Sequence, residues 1–257
     1  MAADLTVQIV NYRTREHLGP CLESLLPALA ASGVSGRVAI LENGSGDDLS
    51  EFGDRADVLV SDRNLGFGGG HNRLAAANDS PLLCFLNPDV VCDSAGVFAV
   101  LLAALQDDGV VAAGPLLRTT VGEPQRFDHG ELRGLRAAVA NGAGRAHWRP
   151  REHTTAVAWV SGAFLLVRRS AFDAAGGFDE GFFLYKEEED LCLRLRQAGG
   201  RVLYVPETSA EHVGSVVAGR DTELLAASDA RFEAKHASGP LGATMRALYS
   251  VTRRLGG

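Results

Sequence analysis

Four short runs of β-branched and apolar residues, at 5–11, 37–41, 58–61 and 82–86, alternate with helix-like or turn-rich stretches in the first third of the chain. Residues 18–29 carry Leu18, Leu22, Leu25, Leu26 and Leu29 at helical spacing, and 72–78 reads as a second helix. Strands separated by helices constrain the fold more than any other feature here. Such strands run parallel, are covered by helices on both faces, and present ligand groups at their carboxyl ends. The polar residues at three of those ends fit this rule: Asn11, Glu42, and Asn87 with Asp89. The fold class expected is therefore α/β with a doubly wound sheet.

Beyond residue 93 the pattern predicts a helix at 95–106, a strand at 110–113, and a long variable loop with short helices at 119–153. Strand character returns at 157–167, with Trp159, Gly162 and Ala163 inside it. A short helix at 169–175 and a last strand at 201–205 follow, and two helices are expected at 222–236 and 241–255.

The 257 residues suffice for a full core, and no apolar run reaches the roughly 18 residues of a membrane span. A net charge of −7 argues against general nucleic-acid binding, which needs a basic face to displace counterions. Cys21, Cys84, Cys92 and Cys192 form no CxxC pair, and residues 1–5 lack the marks of a signal peptide. A cytoplasmic protein with reduced thiols is expected.

Four consecutive acids, Glu187, Glu188, Glu189 and Asp190, follow the aromatic run ending in Phe183 and Tyr185 and open a helical pattern. An acidic helix start is favoured by the helix dipole, and solvated acids there need no function. Apolar sequence on both sides also allows a carboxylate to face a closed cleft, where crowding raises its proton affinity as a general base requires. Gly66-Phe-Gly-Gly-Gly70 departs from a dinucleotide fingerprint, because position 71 is His71 instead of glycine. Glycine there allows backbone to approach a ligand or to turn before a helix. His71 reads as a ligand contact or as an exposed loop histidine. Pro88 stiffens Asn87-Pro88-Asp89, which is either an ordinary turn or a place where Asp89 binds Mg²⁺ or Mn²⁺ beside a diphosphate.

Taken in order, Ile9–Tyr12, Leu41–Ser45, Asn64–Asn72, Leu86–Asp89, Trp159–Ala163, Gly177–Glu180, the Phe182–Asp190 stretch and His212–Ser215 resemble the family 2 glycosyltransferases with the GT-A fold. The similarity is to their rhamnosyltransferase-like bacterial branch and covers residues 5–215. It implies a nucleotide-sugar-binding half at 1–93, an acceptor-binding catalytic half at 94–215, and a helical tail at 216–257. The implied activity is inverting transfer of a sugar, with L-rhamnose from dTDP-rhamnose as first choice and UDP- or GDP-sugars as alternatives. The implied acceptor is a hydroxyl on a glycan, a lipid-linked saccharide or a small molecule.

The resemblance places Asn11, Tyr12, Glu42, Asn64, Gly66, Phe67, Gly68, Asn72, Asn87 and Asp89 around the donor. Trp159, Gly162, Ala163 and Tyr185 fall at the acceptor cleft. Asp89, with His212 as a further ligand, would hold Mg²⁺ or Mn²⁺. The family's acidic pair falls on Glu187 and Glu188, which makes Glu188 the first choice as base and Glu187 and Asp190 its rivals. Asp is usual at positions 42 and 188, and many relatives have Asp-x-Asp where this chain has Asn87-Pro88-Asp89. Two other functions compete: a nucleotide-sugar-binding protein without turnover, and nucleotidyl transfer, whose glycine- and lysine-bearing signature is missing after the first strand. In the tail, Met245, Leu248, Val251 and Leu255 with Arg246, Arg253 and Arg254 suggest contact with the inner face of a membrane, core capping, or a homodimer seam.

Overall fold

A computed structural model describes residues 3–131, 148–214 and 222–236. The expected helix at 241–255, and with it the membrane and dimer readings, lies outside these residues, as does much of the variable loop. In chain order the strands are β1 (Leu5–Asn11), β2 (Gly36–Asn43), β3 (Asp57–Ser61), β4 (Leu82–Leu86), β5 (Val90–Cys92) and β6 (Val110–Arg118). They continue with β7 (His129–Gly130), β8 (Thr155–Val157), β9 (Trp159–Val160), β10 (Phe164–Arg168) and β11 (Arg201–His212). The helices are α1 (Arg15–Ala30), α2 (Gly66–Ala75), α3 (Val97–Ala104), α4 (Arg169–Ala174), α5 (Glu187–Gln197) and α6 (Thr222–His236).

The main sheet has the order β3-β2-β1-β4-β10-β6-β11-β5, with β8 added against β11. Strands β3, β2, β1 and β4 are parallel, as the alternation predicted. β10 then enters antiparallel to both β4 and β6, which joins the two halves into one sheet. In central β1, Leu5, Val7 and Ile9 are fully buried, and so are Thr6 and Gln8 on its other face. Burial on both faces is the normal state of a parallel strand under helices. Each of the three apolar side chains contributes about 1.5–3 kcal/mol. α1 covers one face through Leu18, Cys21, Leu22, Leu25, Ala28 and Leu29, and α2 covers the other.

Several element boundaries differ from expectation. The glycine run is the first two turns of α2, not a loop before a helix at 72–78. A Cβ at Gly70 would lie 2.8 Å from Val10 Cγ2, and one at Gly68 would lie 2.9 Å from Phe178 Cβ. The glycines therefore let this helix press against β1 and the 178–183 loop. His71 is consequently neither exposed nor a ligand contact. It is fully buried among Phe67, Phe85 and Phe178, and burial pushes its imidazole down to about 3, so it stays neutral. The run at 157–167 is broken into β8, β9 and β10 by a bend at Ala158 and a turn at Gly162–Ala163. β11 runs on to His212 because a register shift between Val205 and Ser209 absorbs Pro206.

Candidate active site

β4 ends at Leu86, and its extension Asn87 is tied to Ala163 by a backbone hydrogen bond of 2.9 Å. The pairing of β5 with β11 then sets Val90 opposite His212. Asp89, just before β5, thereby meets the last residue of β11: Asp89 Oδ1 lies 3.4 Å from His212 Nε2. Gly214 N–H donates to Asp89 Oδ2 at 3.0 Å. Burial alone would raise the Asp89 carboxyl, but its contacts with His212 and the Gly214 amide outweigh it and hold it below the ordinary value.

The acidic stretch approaches the same place from the other half. Tyr185 and Lys186 both have φ of 70°, an uncommon left-handed conformation for non-glycine residues, costing about 1–3 kcal/mol each. This turn starts α5 and is held from three sides. Phe67 N–H donates to Phe183 O at 3.0 Å, and Ser228 Oγ donates to Leu184 O at 2.7 Å. Lys186 Nζ reaches Glu189 at 2.7 Å and Asp229 at 3.5 Å. Gly66 is required here: its φ is +74°, and a Cβ would lie 2.3 Å from Phe183 O.

Between these elements lies a cavity of about 430 Å³. Of the residues singled out in the sequence, Tyr12, Asn64, Gly66, Phe67, Asn87, Asp89, Gly162, Ala163, Tyr185, Glu187, Glu188 and His212 line it. Thr14, Asn43, Ser161, Leu184 and Leu224 join them without having been anticipated. Asn43 had a legible signal, since it follows Glu42 at a strand end. Its side chain accepts from Leu65 N–H and donates to Asn64 Oδ1, organising the start of α2. Leu224 belongs to α6 and had none.

The four acids have four environments. Glu187 is 4% exposed, and its Oε2 has no hydrogen-bond partner; burial and then the Glu188 charge hold its carboxyl well above the ordinary value. Glu188 Oε2 is likewise buried and unpartnered, and burial followed by the Glu189 charge raises this carboxyl to about 7. Glu189 is paired with Lys186. Asp190 is fully buried away from the cavity, between Arg194 at 2.7 Å and Lys235 and His236 of α6, each at 2.7 Å. Burial pushes its carboxyl up, but Lys235, His236 and Arg194 outweigh that and hold it below the usual range. α6 also grips Asp179 through Arg231 and Lys235, so this helix straps down the loop that carries the acids.

Other expected site residues are placed elsewhere too. Glu42 accepts the backbone N–H groups of Ser45 at 2.6 Å and Gly46 at 3.0 Å, so its carboxylate shapes its own loop. Asn11 donates to Asp47 and accepts from Thr14. Asn72 is stitched to Phe178 and Glu180, Gly68 packs on Phe178, and Trp159 is buried against Gly130.

Among the described residues no group of three His, Cys, Asp or Glu side chains is arranged to hold a metal ion. Asp89 and His212 supply two donors. A carboxylate oxygen suits Mg²⁺ or Mn²⁺, and Mg²⁺ in particular is commonly held by one or two carboxylates together with substrate phosphates and water, so the pair fits such an ion bound with a diphosphate.

The sheet and a cavity joining a strand-end carboxylate to a raised acidic pair are the arrangement expected of a GT-A sugar transferase. The chain belongs to the family described as "Glycosyltransferase like family 2", which matches residues 2–232. It is similar to the N-acetylglucosaminyl-diphospho-decaprenol L-rhamnosyltransferase of Mycobacterium tuberculosis (strain H37Rv), 32% identical over 79% of this chain and 75% of that one. A shorter stretch, 23% of this chain and 22% of the other, is 53% identical to rhamnosyltransferase WbbL of Escherichia coli (strain K12). Among solved structures, GalNAc-T7 with UDP, GalNAc and Mn²⁺ superposes with a TM-score of 0.64 at 14% identity, over 82% of this chain and 44% of that one. The mannosyltransferase PcManGT of Pyrobaculum calidifontis, in complex with GDP-Man and Mn²⁺, gives 0.58 at 11% identity, over 100% of this chain and 66% of that one. No helix among the described residues is long and apolar enough to cross a membrane.

Proposed function

We propose that this glycosyltransferase moves L-rhamnose from dTDP-L-rhamnose to a hydroxyl of a glycan or lipid-linked saccharide, with inversion, and that Glu188 is the base. The observation that carries the reading is the Glu188 carboxyl, raised to about 7 with one oxygen buried and unpartnered, on a residue that lines the cavity together with Asp89 and His212. A base works best when its pKa lies near the working pH, and such a group contributes roughly 10²–10⁴-fold. In the reaction the acceptor oxygen bonds to the anomeric carbon as its proton passes to Glu188. The bond from that carbon to the diphosphate oxygen breaks, and the nucleoside diphosphate leaves.

Glu187 lines the cavity beside it, and burial followed by the Glu188 charge holds its carboxyl well above the ordinary value. Asp190 is committed to its cations. Asp89 and His212 would hold Mg²⁺ or Mn²⁺, which when bound offsets the charge of the departing diphosphate. Gly162 keeps the floor open: a Cβ there would lie 3.0 Å from Phe67 Cζ and 3.4 Å from Glu188 Cβ. The rhamnosyltransferases among the similar proteins support the donor, and the lipid-linked substrate in the mycobacterial name supports the acceptor class.

The test is a thermal-shift screen of dTDP-L-rhamnose, UDP-sugars and GDP-sugars with Mn²⁺ or chelator, followed by assay of nucleoside diphosphate release. A donor at about 100 times its Kd stabilises by about 2.7 kcal/mol. dTDP-L-rhamnose with Mn²⁺ should give the largest shift and be turned over. A larger response to a UDP- or GDP-sugar would overturn the donor, and turnover indifferent to chelator would overturn the metal.

A further inference from the structure

Gln125 lies outside every motif by which the chain resembles its family, in the segment after β6. A tight hairpin carries it: Gly122 N–H donates to Thr119 O at 2.8 Å, Thr119 N–H to Glu123 O at 2.8 Å, and Gln125 N–H to Leu117 O at 2.8 Å. Gly122 takes φ of +81° at the tip. The hairpin sets Gln125 Oε1 2.8 Å from His212 Nδ1. On the opposite side of the ring, Asn87 Nδ2 lies 3.1 Å from His212 Nε2. A carboxamide oxygen only accepts and its nitrogen only donates, so one neutral tautomer satisfies both contacts. In that tautomer the proton is on Nδ1 and the lone pair is on Nε2, the nitrogen 3.4 Å from Asp89 Oδ1.

We infer that Gln125 is a positioning residue for the cation site: by accepting from Nδ1–H, it fixes His212 in the tautomer whose Nε2 lone pair can bind a divalent ion beside Asp89 in exchange for the Asn87 contact. The inference rests on the reading that Asp89 and His212 hold that ion. Metal-binding histidines generally need such a partner at the other nitrogen, and a carboxylate or backbone carbonyl is its usual form. A neutral amide does the same work without placing a further negative charge beside an incoming diphosphate. It also makes the hairpin after β6, where the motifs offer no guidance, part of the donor site.

The test compares wild type, Gln125→Leu and Gln125→Glu in two measurements. Leucine removes the acceptor and glutamate restores an oxygen, while all three keep the backbone bond to Leu117. Nitrogen-15 spectra of metal-free, histidine-labelled protein, with a His212→Gln sample to assign the signals, report the tautomer without requiring turnover. Titration with Mn²⁺ alone, followed by electron paramagnetic resonance, reports affinity. Wild type should show His212 protonated on Nδ1. Gln125→Leu should lose that preference and bind Mn²⁺ about 10–100-fold more weakly, and Gln125→Glu should recover both, with melting midpoints alike. A leucine variant that keeps the wild-type tautomer or the wild-type Mn²⁺ affinity overturns the role of Gln125 alone. Wild-type protein that binds no Mn²⁺ overturns the metal reading, and this role with it, whatever the tautomer.

Discussion

Ionising Glu188 costs the folded state free energy, and the cost can be worked out. Its carboxyl stands at about 7 against an ordinary 4.5, because burial and the Glu189 charge disfavour the anion. At about 1.4 kcal/mol per pKa unit, full ionisation removes up to about 3 kcal/mol relative to the unfolded chain. Because the folded value is the raised one, this contribution is fully present below the ordinary value and is lost as pH climbs through about 7. Glu188→Gln cannot ionise and nearly keeps the shape. Its stability relative to wild type should therefore improve between pH 5 and pH 8 by up to about 3 kcal/mol, or about 6–12 °C in melting midpoint for a chain of this size. Thermal unfolding followed by circular dichroism at the two pH values, at one ionic strength, measures it. A difference between variant and wild type that stays constant with pH would refute the reasoning.

Two further outcomes follow from the same geometry. Asp190→Asn leaves Arg194, Lys235 and His236 around a neutral buried amide and should cost about 3–5 kcal/mol in urea unfolding, whereas a loss under about 1 kcal/mol would contradict the proposed ionic strap from α6. Gly66→Ala and Gly46→Ala both place a side chain at positive φ, but only the first meets backbone, at Phe183 O, so it should lose clearly more stability. Equal losses would show that the α2 contact with the acid loop is unimportant.

Much of this fold was legible because local signals and tertiary demands agree. β1 to β4 read as strands, and the segments at the carboxyl ends of β1, β2 and β4 bring Tyr12, Asn43 and Asp89 to one cavity. The glycine run was misread because its helix is set by tertiary packing: without side chains it fits against Val10 and Phe178, overriding a poor intrinsic propensity. His71 followed the same error into the core. Pro206 suggested a strand end, but a bulge carries β11 on to His212. The four acids are identical in kind along the chain and separate only through partners distant in sequence, such as Lys235 and His236 for Asp190. No pattern in the segment after β6 could reveal Gln125, whose role depends on a histidine on another strand.

Turnover of Glu188→Gln, scored beside donor binding, tests the central claim most directly. With dTDP-L-rhamnose, Mn²⁺ and an acceptor, the variant should release nucleoside diphosphate about 10²–10⁴-fold more slowly than wild type, while its donor-induced thermal shift persists. Glu187→Gln, at the neighbouring acid that is not assigned the base role, should stay within about tenfold of wild type. Near-normal turnover by Glu188→Gln would contradict the account and move the base elsewhere in the cavity.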